Sequence, residues 1–296
     1  MIGIGNLLYL SLSVIGPCNY CASTSMILCW AGMEIGFIAT IPLLSGYAST
    51  YSLSKESVLK YFCIQAFSSA IIFLGGVILY ETYSEYWSMW LALAGLMIKL
   101  GVWPGHFWVP GVASGISEFP LFIMLVVLKV APIALLINIA DFMELGMHLV
   151  VLGVITATTG ALMGLNSAQF NQMLACSSIT HMGWMCVGIL LGGIWVYFLC
   201  YSVALGFLLY FKCRGNTQMA ALVLLSFSGL PPFLMFVGKW VLLSMMVTTS
   251  VHLVVILSLL ISAFLSLSFY LMFSYGCYLD SSSQPVWWLL RLAGSF

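Results

Sequence analysis

The sequence predicts an all-α polytopic membrane protein of about ten transmembrane helices, arranged as two inverted five-helix repeats. Three observations lead to this prediction: an apolar composition, a series of long apolar runs, and proline and glycine breaks in the fourth and ninth runs. Of the 296 residues, 63% are hydrophobic and 5% are charged, whereas a soluble domain carries about 25% charged residues. A soluble fold would lack polar side chains for its surface, and a nucleic-acid binder would need a basic patch. Soluble enzymes, disordered proteins and nucleic-acid-binding proteins are therefore excluded.

The apolar runs are long enough to cross the hydrocarbon core as helices, which takes about 20 residues. A transmembrane barrel would instead show segments of about ten residues with alternating polarity. In order, the runs are 1–20, 22–44, 57–79, 86–118, 119–139, 146–165, 174–192, 194–212, 219–247 and 252–275. We expect residues 1–139 to form the first repeat and 146–275 the second, with 276–296 as a short interfacial tail. The apolar start has no basic region or cleavage site, so we expect the chain to be inserted as it is made.

The fourth and ninth spans are predicted to be discontinuous helices. The breaks contain Pro104, Gly105, Pro110 and Gly111 in GVWPGHFWVPGVASG, and Gly229, Pro231 and Pro232 in SFSGLPPFLMF. Proline removes a backbone N–H, and free backbone groups at membrane depth are tolerated only inside a bundle or beside water. Each break is fourth in its group of five, and an odd number of helices inverts the second group. This pattern is typical of an inverted repeat with its site near the midplane. Ordinary proline kinks are the alternative.

The charged residues in the loops between the spans are basic on one side of the membrane and acidic on the other. The loops on the side of the N-terminus carry Lys55, Lys60, Lys212, Arg214 and Arg291, and the opposite loops carry Glu81, Glu85, Asp141 and Glu144. The positive-inside rule then places both termini on the cytoplasm-like side, which in a mitochondrion is the matrix.

Four charged residues lie near the centres or breaks of the spans. They are Glu34, Lys99, Lys129 and Lys239. A charge at the bilayer centre costs about 2.5–3.5 kcal/mol on insertion scales, so these four residues indicate function. Burial disfavours the charged form of an amine or a carboxyl, which lets such groups exchange a proton at low cost near neutral pH. The sequence therefore predicts proton transfer. The alternatives are a lysine that snorkels to the interface and charge pairs that only hold helices together.

Two histidines are candidates for the same proton path. His181 lies near the centre of the seventh span and His106 lies in the fourth-span break. A core histidine with satisfied hydrogen bonds is the alternative for each. The neighbouring hydroxyls of Ser177, Ser178 and Thr180 either hold water or donate to carbonyls of their own helix.

Six motifs occur in an order that resembles the antiporter-like membrane subunits of respiratory complex I, in particular the chain 2 family of NADH–ubiquinone oxidoreductase. They are WAGMEIGFIATIPL (30–43), KYFCIQAFSSAI (60–71), LMIKLGVWPGHFWVP (96–110), LKVAP (128–132), LACSSITHMGWM (174–185) and SFSGLPPFLMFVGKW (226–240). Subunits of Mrp-type cation/proton antiporters share the broken helices and the pattern of Glu and Lys.

The resemblance implies a proton-translocating subunit of an NADH:ubiquinone reductase in the mitochondrial inner membrane. By position, it implies that Glu34 is the partner of Lys99 on the first broken helix. It also implies that Lys129 links this pair to the hydrophilic axis, and that Lys239 lies on the exit route. The expected partners are chains 4 and 4L, accessory subunits and the lipid bilayer, with no nucleic acid.

The resemblance places flavin, iron–sulfur clusters and ubiquinone in other subunits. In this chain Cys18 and Cys21 form a lone C-x-x-C with no second pair and no nearby histidine, so no metal or redox centre is predicted. A bound phospholipid is the one further ligand expected. Two other functions stay open: a purely structural subunit, and a free-standing cation/proton antiporter.

Overall fold

The computed structural model describes residues 4–22, 26–46, 51–82, 85–143, 145–249 and 251–293, and their regular structure is helical. The side chains at several helix ends, including those of 280–293, lie outside the description. The α-helices in chain order are α1 (Ile4–Ala22), α2 (Met26–Gly46), α3 (Tyr51–Thr82), α4 (Glu85–Leu100), α5 (Trp108–Ala113), α6 (Glu118–Leu125), α7 (Val130–Phe142), α8 (Gly146–Leu165), α9 (Phe170–Leu191), α10 (Ile194–Cys213), α11 (Thr217–Ser228), α12 (Leu234–Thr248) and α13 (Leu253–Ala293).

Seven helical stretches in the described ranges are long and apolar enough to cross a membrane, and further apolar helices are shorter. The predicted all-helical membrane fold is therefore confirmed. The helices follow the predicted runs in order: the fourth, fifth and ninth runs each contain two α-helices, and every other run contains one. The number of membrane crossings and the inverted repeat stay predictions.

The chain forms two compact units, Met1–Leu190 and Leu191–Phe296. The boundary falls at the last residue of α9 rather than at the predicted repeat boundary near residue 140. Compactness and internal symmetry are different properties, so the repeat boundaries also stay a prediction.

The first break begins where α4 ends at Leu100. Gly101 takes a φ of +72°, a conformation that side chains disfavour. The Val102 N–H donates to the Met97 carbonyl over 2.9 Å, and the Gly101 N–H donates to the Ile98 carbonyl over 3.1 Å. This pair of bonds is the Schellman pattern of a helix that ends at a glycine.

Proline has a different role in each part of the first break. Pro104 lies in the connection between α4 and α5, as predicted. The prediction for Pro110 and Gly111 was wrong, because both lie inside α5. Pro110 is the third residue of that helix, where a backbone N–H has no acceptor within the helix and its loss is tolerated.

The second break, like the first, begins with a glycine in the left-handed conformation. α11 ends at Ser228, and Gly229 takes a φ of +80°. Pro231 and Pro232 occupy the connection before α12 begins at Leu234. The predicted interruption of the ninth span is therefore present, and a glycine starts it, as in the fourth span.

The fifth span contains an interruption that the sequence analysis did not predict. A 3₁₀ turn, Val127–Lys129, separates α6 from α7, and Val126 before it has φ −119° and ψ −67°. Pro132 explains the position, because its ring conflicts with the carbonyl of Leu128 four residues earlier and it has no N–H to donate. The turn places Lys129 at a helix junction.

Helices α8 and α9 are in backbone contact through small residues. A Cβ atom added to Gly183 would lie 2.5 Å from the Gly153 carbonyl oxygen and 2.5 Å from the Ala157 nitrogen. A Cβ atom on Gly160 would lie 2.8 Å from the Thr180 nitrogen. Close backbone approach through glycine and alanine is a common way for helices to associate in a membrane. It fixes the position of α9.

The last helix differs from the prediction. The span 252–275 and the tail 276–296 were expected to be separate, but α13 runs without a break from Leu253 to Ala293. The interfacial location of its last part stays a prediction.

We predict that Gly183→Val lowers the free energy of unfolding of the solubilised protein by about 1–3 kcal/mol, because the new methyl groups must push apart two backbones that are in contact. Gly276→Val is the matched control, since a Cβ atom there has nothing within 4 Å. The denaturation temperatures of both variants give the comparison, and equal losses would contradict the assigned packing.

Candidate proton-transfer site

The predicted pair of Glu34 and Lys99 is present in the first compact unit. The Lys99 Nζ atom lies 3.3 Å from the Glu34 Oε1 atom, which joins the last turn of α4 to α2. The side chain of Lys99 is 7% exposed and that of Glu34 is 18% exposed, so water screens the pair only weakly. The charge of each residue therefore depends on the presence of the other.

Lys129 is buried with a neutral partner. Its Nζ atom lies 3.5 Å from the Ser178 hydroxyl on α9, and the residue is 4% exposed. No carboxylate among the described residues forms an ion pair with it. The ammonium of Lys129 therefore has much less electrostatic support than that of Lys99.

A small cavity joins the two lysines. It provides about 20 Å³ for the centre of a water molecule, which is room for about one water. Its walls come from the helices α1 to α7 and the turn before α7. The lining residues are Pro17, Met33, Gly36, Phe37, Tyr61, Gln65, Lys99, Trp108, Met124, Leu128, Lys129 and Ala131. Lys99 and Lys129 therefore line the same cavity, which has room for about one water.

Side chains from other helices cap the carboxyl end of α4. The Gln65 Nε2 atom donates to the Lys99 carbonyl over 3.4 Å, and the Trp108 Nε1 atom donates to the Ile98 carbonyl over 2.9 Å. The Trp108 ring packs against Tyr61 with a centroid separation of 6.0 Å. Because these side chains bind the carbonyls at the end of α4, the Lys99 ammonium does not have to bind them and can pair with Glu34.

Lys239 lies at the second break, in the second compact unit. Its Nζ atom donates to the Ser228 carbonyl over 2.8 Å and to the Phe227 carbonyl over 3.4 Å. A Cβ atom on Gly229 would lie 2.7 Å from the Lys239 Cδ atom, so this glycine also makes room for the lysine. A cation at a helix carboxyl end is stabilised by the free carbonyls and the helix dipole.

The two histidines are buried away from the lysine cavity. His106 is 2% exposed in the connection after α4, and its Nδ1 atom has no hydrogen-bond partner among the described residues. His181 is buried in α9. Neither lines the cavity shared by Lys99 and Lys129.

The hydroxyl groups near His181 donate to their own helix. Ser177, Ser178 and Thr180 bond the carbonyls three residues earlier over 2.7, 2.8 and 2.7 Å. Because the Ser178 proton is used in this way, its oxygen is available to accept from Lys129. One of the three hydroxyls therefore contributes to the lysine site.

Some of the predicted features lie outside the described side chains. These are the C-x-x-C pair Cys18 and Cys21 and the loop charges Glu81, Glu85, Glu144 and Arg291. Among the described residues, no group of three His, Cys, Asp or Glu side chains could hold a metal ion.

Comparison with known proteins identifies the family. Residues 23–219 match the family described as NADH:quinone oxidoreductase/Mrp antiporter, transmembrane. The NADH-ubiquinone oxidoreductase chain 2 of Albinaria caerulea is 34% identical over 88% of this chain and 85% of its own length. The protein of that name from Anopheles gambiae is 31% identical over 97% of this chain and 89% of its own length. This chain belongs to the NADH-ubiquinone oxidoreductase chain 2 family.

Solved structures of this antiporter-like fold extend the comparison. A chain of respiratory complex I from Thermus thermophilus matches with a TM-score of 0.79 and 22% identity, over 92% of this chain and 70% of that one. A chain of the Mrp complex from a Dietzia species matches with a TM-score of 0.79 and 17% identity, over 89% of this chain and 58% of that one. At these identities the likeness shows the fold alone.

Sequence analysis of this family member missed three residues that shape the site. Gln65, Tyr61 and Trp108 lie within quoted motifs, but neutral residues in apolar runs carry no charge signal. Their roles depend on which helices meet, and local sequence does not reveal this. Pro132 is a signal that was available, because a proline inside a span predicts an interruption near Lys129.

We predict that Glu34 and Lys99 are energetically coupled. Lys99→Met should lower the free energy of unfolding by about 1–3 kcal/mol, less than for a fully buried pair because the Glu34 carboxylate keeps some exposure. Adding Glu34→Gln should restore part of this loss, since no unpaired carboxylate then remains.

The measurement is a double-mutant cycle of denaturation midpoints for the parent, both single variants and the double variant. Additive losses would show that the ion pair contributes no coupling.

Proposed function

We propose that this chain is a proton-translocating, antiporter-like membrane-arm subunit of respiratory complex I in the mitochondrial inner membrane. Electron transfer from NADH to ubiquinone occurs in other subunits, and this chain moves protons through Glu34, Lys99, Lys129 and Lys239. The observation that carries the proposal is the cavity shared by Lys99 and Lys129, which has room for about one water. Among the described residues a carboxylate pairs with Lys99 but not with Lys129. The chain 2 relatives support the assignment to complex I.

The Glu34–Lys99 pair acts as the switch in this proposal. While Glu34 lies 3.3 Å from the ammonium, the proton stays on Lys99. A change in the distance or charge of Glu34 removes this support, and the proton passes through water to the neutral amine of Lys129. One N–H bond breaks at Lys99 and one forms at Lys129, so charge and atoms balance.

Lys239 exchanges a proton at the carboxyl end of α11. As an ammonium it has three donors, of which two reach the carbonyls of Phe227 and Ser228. As an amine it loses its charge and one donor, which weakens the cap on the half-helix. Proton release from Lys239 is therefore tied to the order of the last turn of α11. His106 and His181 are further candidates for the proton path.

The chain holds no redox centre in this proposal, and flavin, iron–sulfur clusters and ubiquinone belong to other subunits. Chains 4 and 4L and accessory subunits are its protein partners, and both termini face the matrix. A phospholipid is a candidate ligand for an apolar groove between α11 and α13. Residues at this groove include Gln218, Leu222, Leu225, Tyr275 and Tyr278.

A free-standing cation/proton antiporter is the second candidate function. The observation that favours it is the fold, which matches an Mrp complex chain as well as a complex I chain, with a TM-score of 0.79 in both cases. The sequence relatives named NADH-ubiquinone oxidoreductase chain 2, at 34% and 31% identity, favour the complex I proposal.

We predict that the chain co-migrates with NADH dehydrogenase activity on a native gel of solubilised inner membranes. The gel would be stained for NADH oxidation and probed with an antibody to this chain. A small separate band without NADH activity would refute the complex I proposal, and ion flux in liposomes would then test the antiporter.

We predict that Lys129→Met keeps the complex assembled but lowers NADH-driven proton uptake at least about tenfold, since methionine cannot carry a proton. The free energy of unfolding should stay within about 1 kcal/mol of the parent value, because an apolar side chain replaces a buried amine that has one long hydrogen bond.

The matched control is Ser178→Ala, which removes the partner of Lys129 but leaves the proton carrier in place. A purely structural role for Lys129 predicts the opposite result: poor assembly of Lys129→Met and normal proton uptake per assembled complex. Proton uptake in sealed vesicles, normalised to the amount of complex, distinguishes the two roles.

A further inference from the structure

Gln65 lies beside the switch lysine on the wall of the cavity. It is in α3, is 4% exposed, and lines the cavity together with Lys99 and Lys129. Its amide donates to the backbone carbonyl of Lys99 over 3.4 Å. A carbonyl can only accept a hydrogen bond, so this contact requires the NH₂ end of the amide and fixes the orientation of the group.

The carbonyl end of the Gln65 amide is an unused acceptor. Within the described residues the contact with Lys99 is the one hydrogen bond of this side chain. The residue is 4% exposed, and its amide oxygen carries two lone pairs that favour a partner. The available partner is a molecule in the cavity.

A water in the cavity needs such an acceptor. A buried water makes about three hydrogen bonds. The ammonium of Lys99 can only donate, so the water accepts from it and gives one of its own protons to the neutral amine of Lys129. The second proton of the water needs another acceptor. The Trp108 N–H is a donor already bonded to the Ile98 carbonyl. The side-chain acceptors on the cavity wall are Gln65 and the Tyr61 hydroxyl.

We propose that Gln65 is a positioning residue for proton transfer. Its N–H end holds the carboxyl end of α4, and its carbonyl oxygen holds the water that relays a proton from Lys99 to Lys129. An N–H bond breaks at Lys99 as an O–H bond forms on the water, and another O–H bond breaks as an N–H bond forms at Lys129. This inference rests on the proposed function and adds to it the residue that places the water.

A purely structural role for Gln65 makes a different prediction. A residue that only caps α4 affects the amount and stability of the complex, but leaves the rate of proton uptake per assembled complex unchanged. Two variants separate these roles. Gln65→Met removes both ends of the amide at similar size, whereas Gln65→Glu keeps the acceptor and loses the donor to the Lys99 carbonyl.

The experiment measures NADH-driven proton uptake by intact complex in sealed membrane vesicles, in H₂O and D₂O, normalised to assembled complex. We expect uptake by Gln65→Met to fall about five- to tenfold, as for the loss of one hydrogen bond to a buried partner. Its ratio of rates in H₂O and D₂O should rise above that of the parent, because proton transfer becomes slower. Gln65→Glu should recover most of the parent rate at a pH low enough to keep its carboxyl neutral, because the carboxyl then accepts from the water without adding a second carboxylate beside Lys99.

The matched control is Ser69→Ala, which removes a buried hydroxyl one turn away that donates to the Ala66 carbonyl of its own helix. This variant should keep the parent rate. A parent-like rate and isotope ratio for Gln65→Met, or equal losses for Gln65→Met and Gln65→Glu, would overturn the proposal. If Gln65→Met does not assemble, Gln65→Glu decides: a rate near that of the parent supports the role, and a fivefold lower rate refutes it.

The Lys129→Met variant in the same assay keeps the two proposals distinguishable. If Lys129→Met and Gln65→Met both pump normally, the proposed function is wrong. If Lys129→Met is inactive and Gln65→Met pumps normally, the lysine relay stands and the role of Gln65 is refuted.

Discussion

Hydrocarbon provides no hydrogen-bond partner for a backbone carbonyl, so a helix that ends inside a membrane span must find its partners within the protein. Two spans of this chain end in this way, at Gly101 and at Gly229. The carbonyls that α4 frees are bound by Gln65 and Trp108, and those that α11 frees are bound by Lys239. Each donor comes from outside the half-helix that it caps, so the helix ends and the charged side chains are part of one arrangement.

This requirement gives the two broken spans different chemistry. Lys99 comes just before its break, and because neutral side chains cap its helix, its ammonium is free to pair with Glu34. Lys239 follows its break and does the capping itself. A change in the charge of Lys99 therefore alters its ion pair with a carboxylate, whereas a change in the charge of Lys239 alters its hydrogen bonds to the backbone of α11.

Lys129 differs from both because a hydroxyl is its one hydrogen-bond partner among the described residues. The 3₁₀ turn before Pro132 brings it to the cavity, and the close contact of α8 with α9 fixes the position of Ser178. A buried ammonium with a single neutral partner is a strong candidate to release its proton, because little stabilises its charge. The glycines of α8 and α9 thus contribute to the site without touching a charged group.

The sequence by itself determined the class of the fold, because 63% hydrophobic residues in long runs can be satisfied only in a membrane. It also identified the buried charges, since a lysine or glutamate in an apolar run stands out, and it located two interruptions through glycine and proline. Pro110 and Gly111 show where local signals fail, because a proline near the start of a helix does not break it. The last helix also continues past residue 275, where the apolar run ends.

Only the tertiary structure decided which groups meet. The partner of Lys129, the caps on the half-helices and the cavity behind Gln65 involve residues that are far apart in sequence and mostly uncharged. Such contacts depend on the packing of neighbouring helices within one unit. In a span that is apolar on all sides, periodicity does not show which face a neighbour will cover.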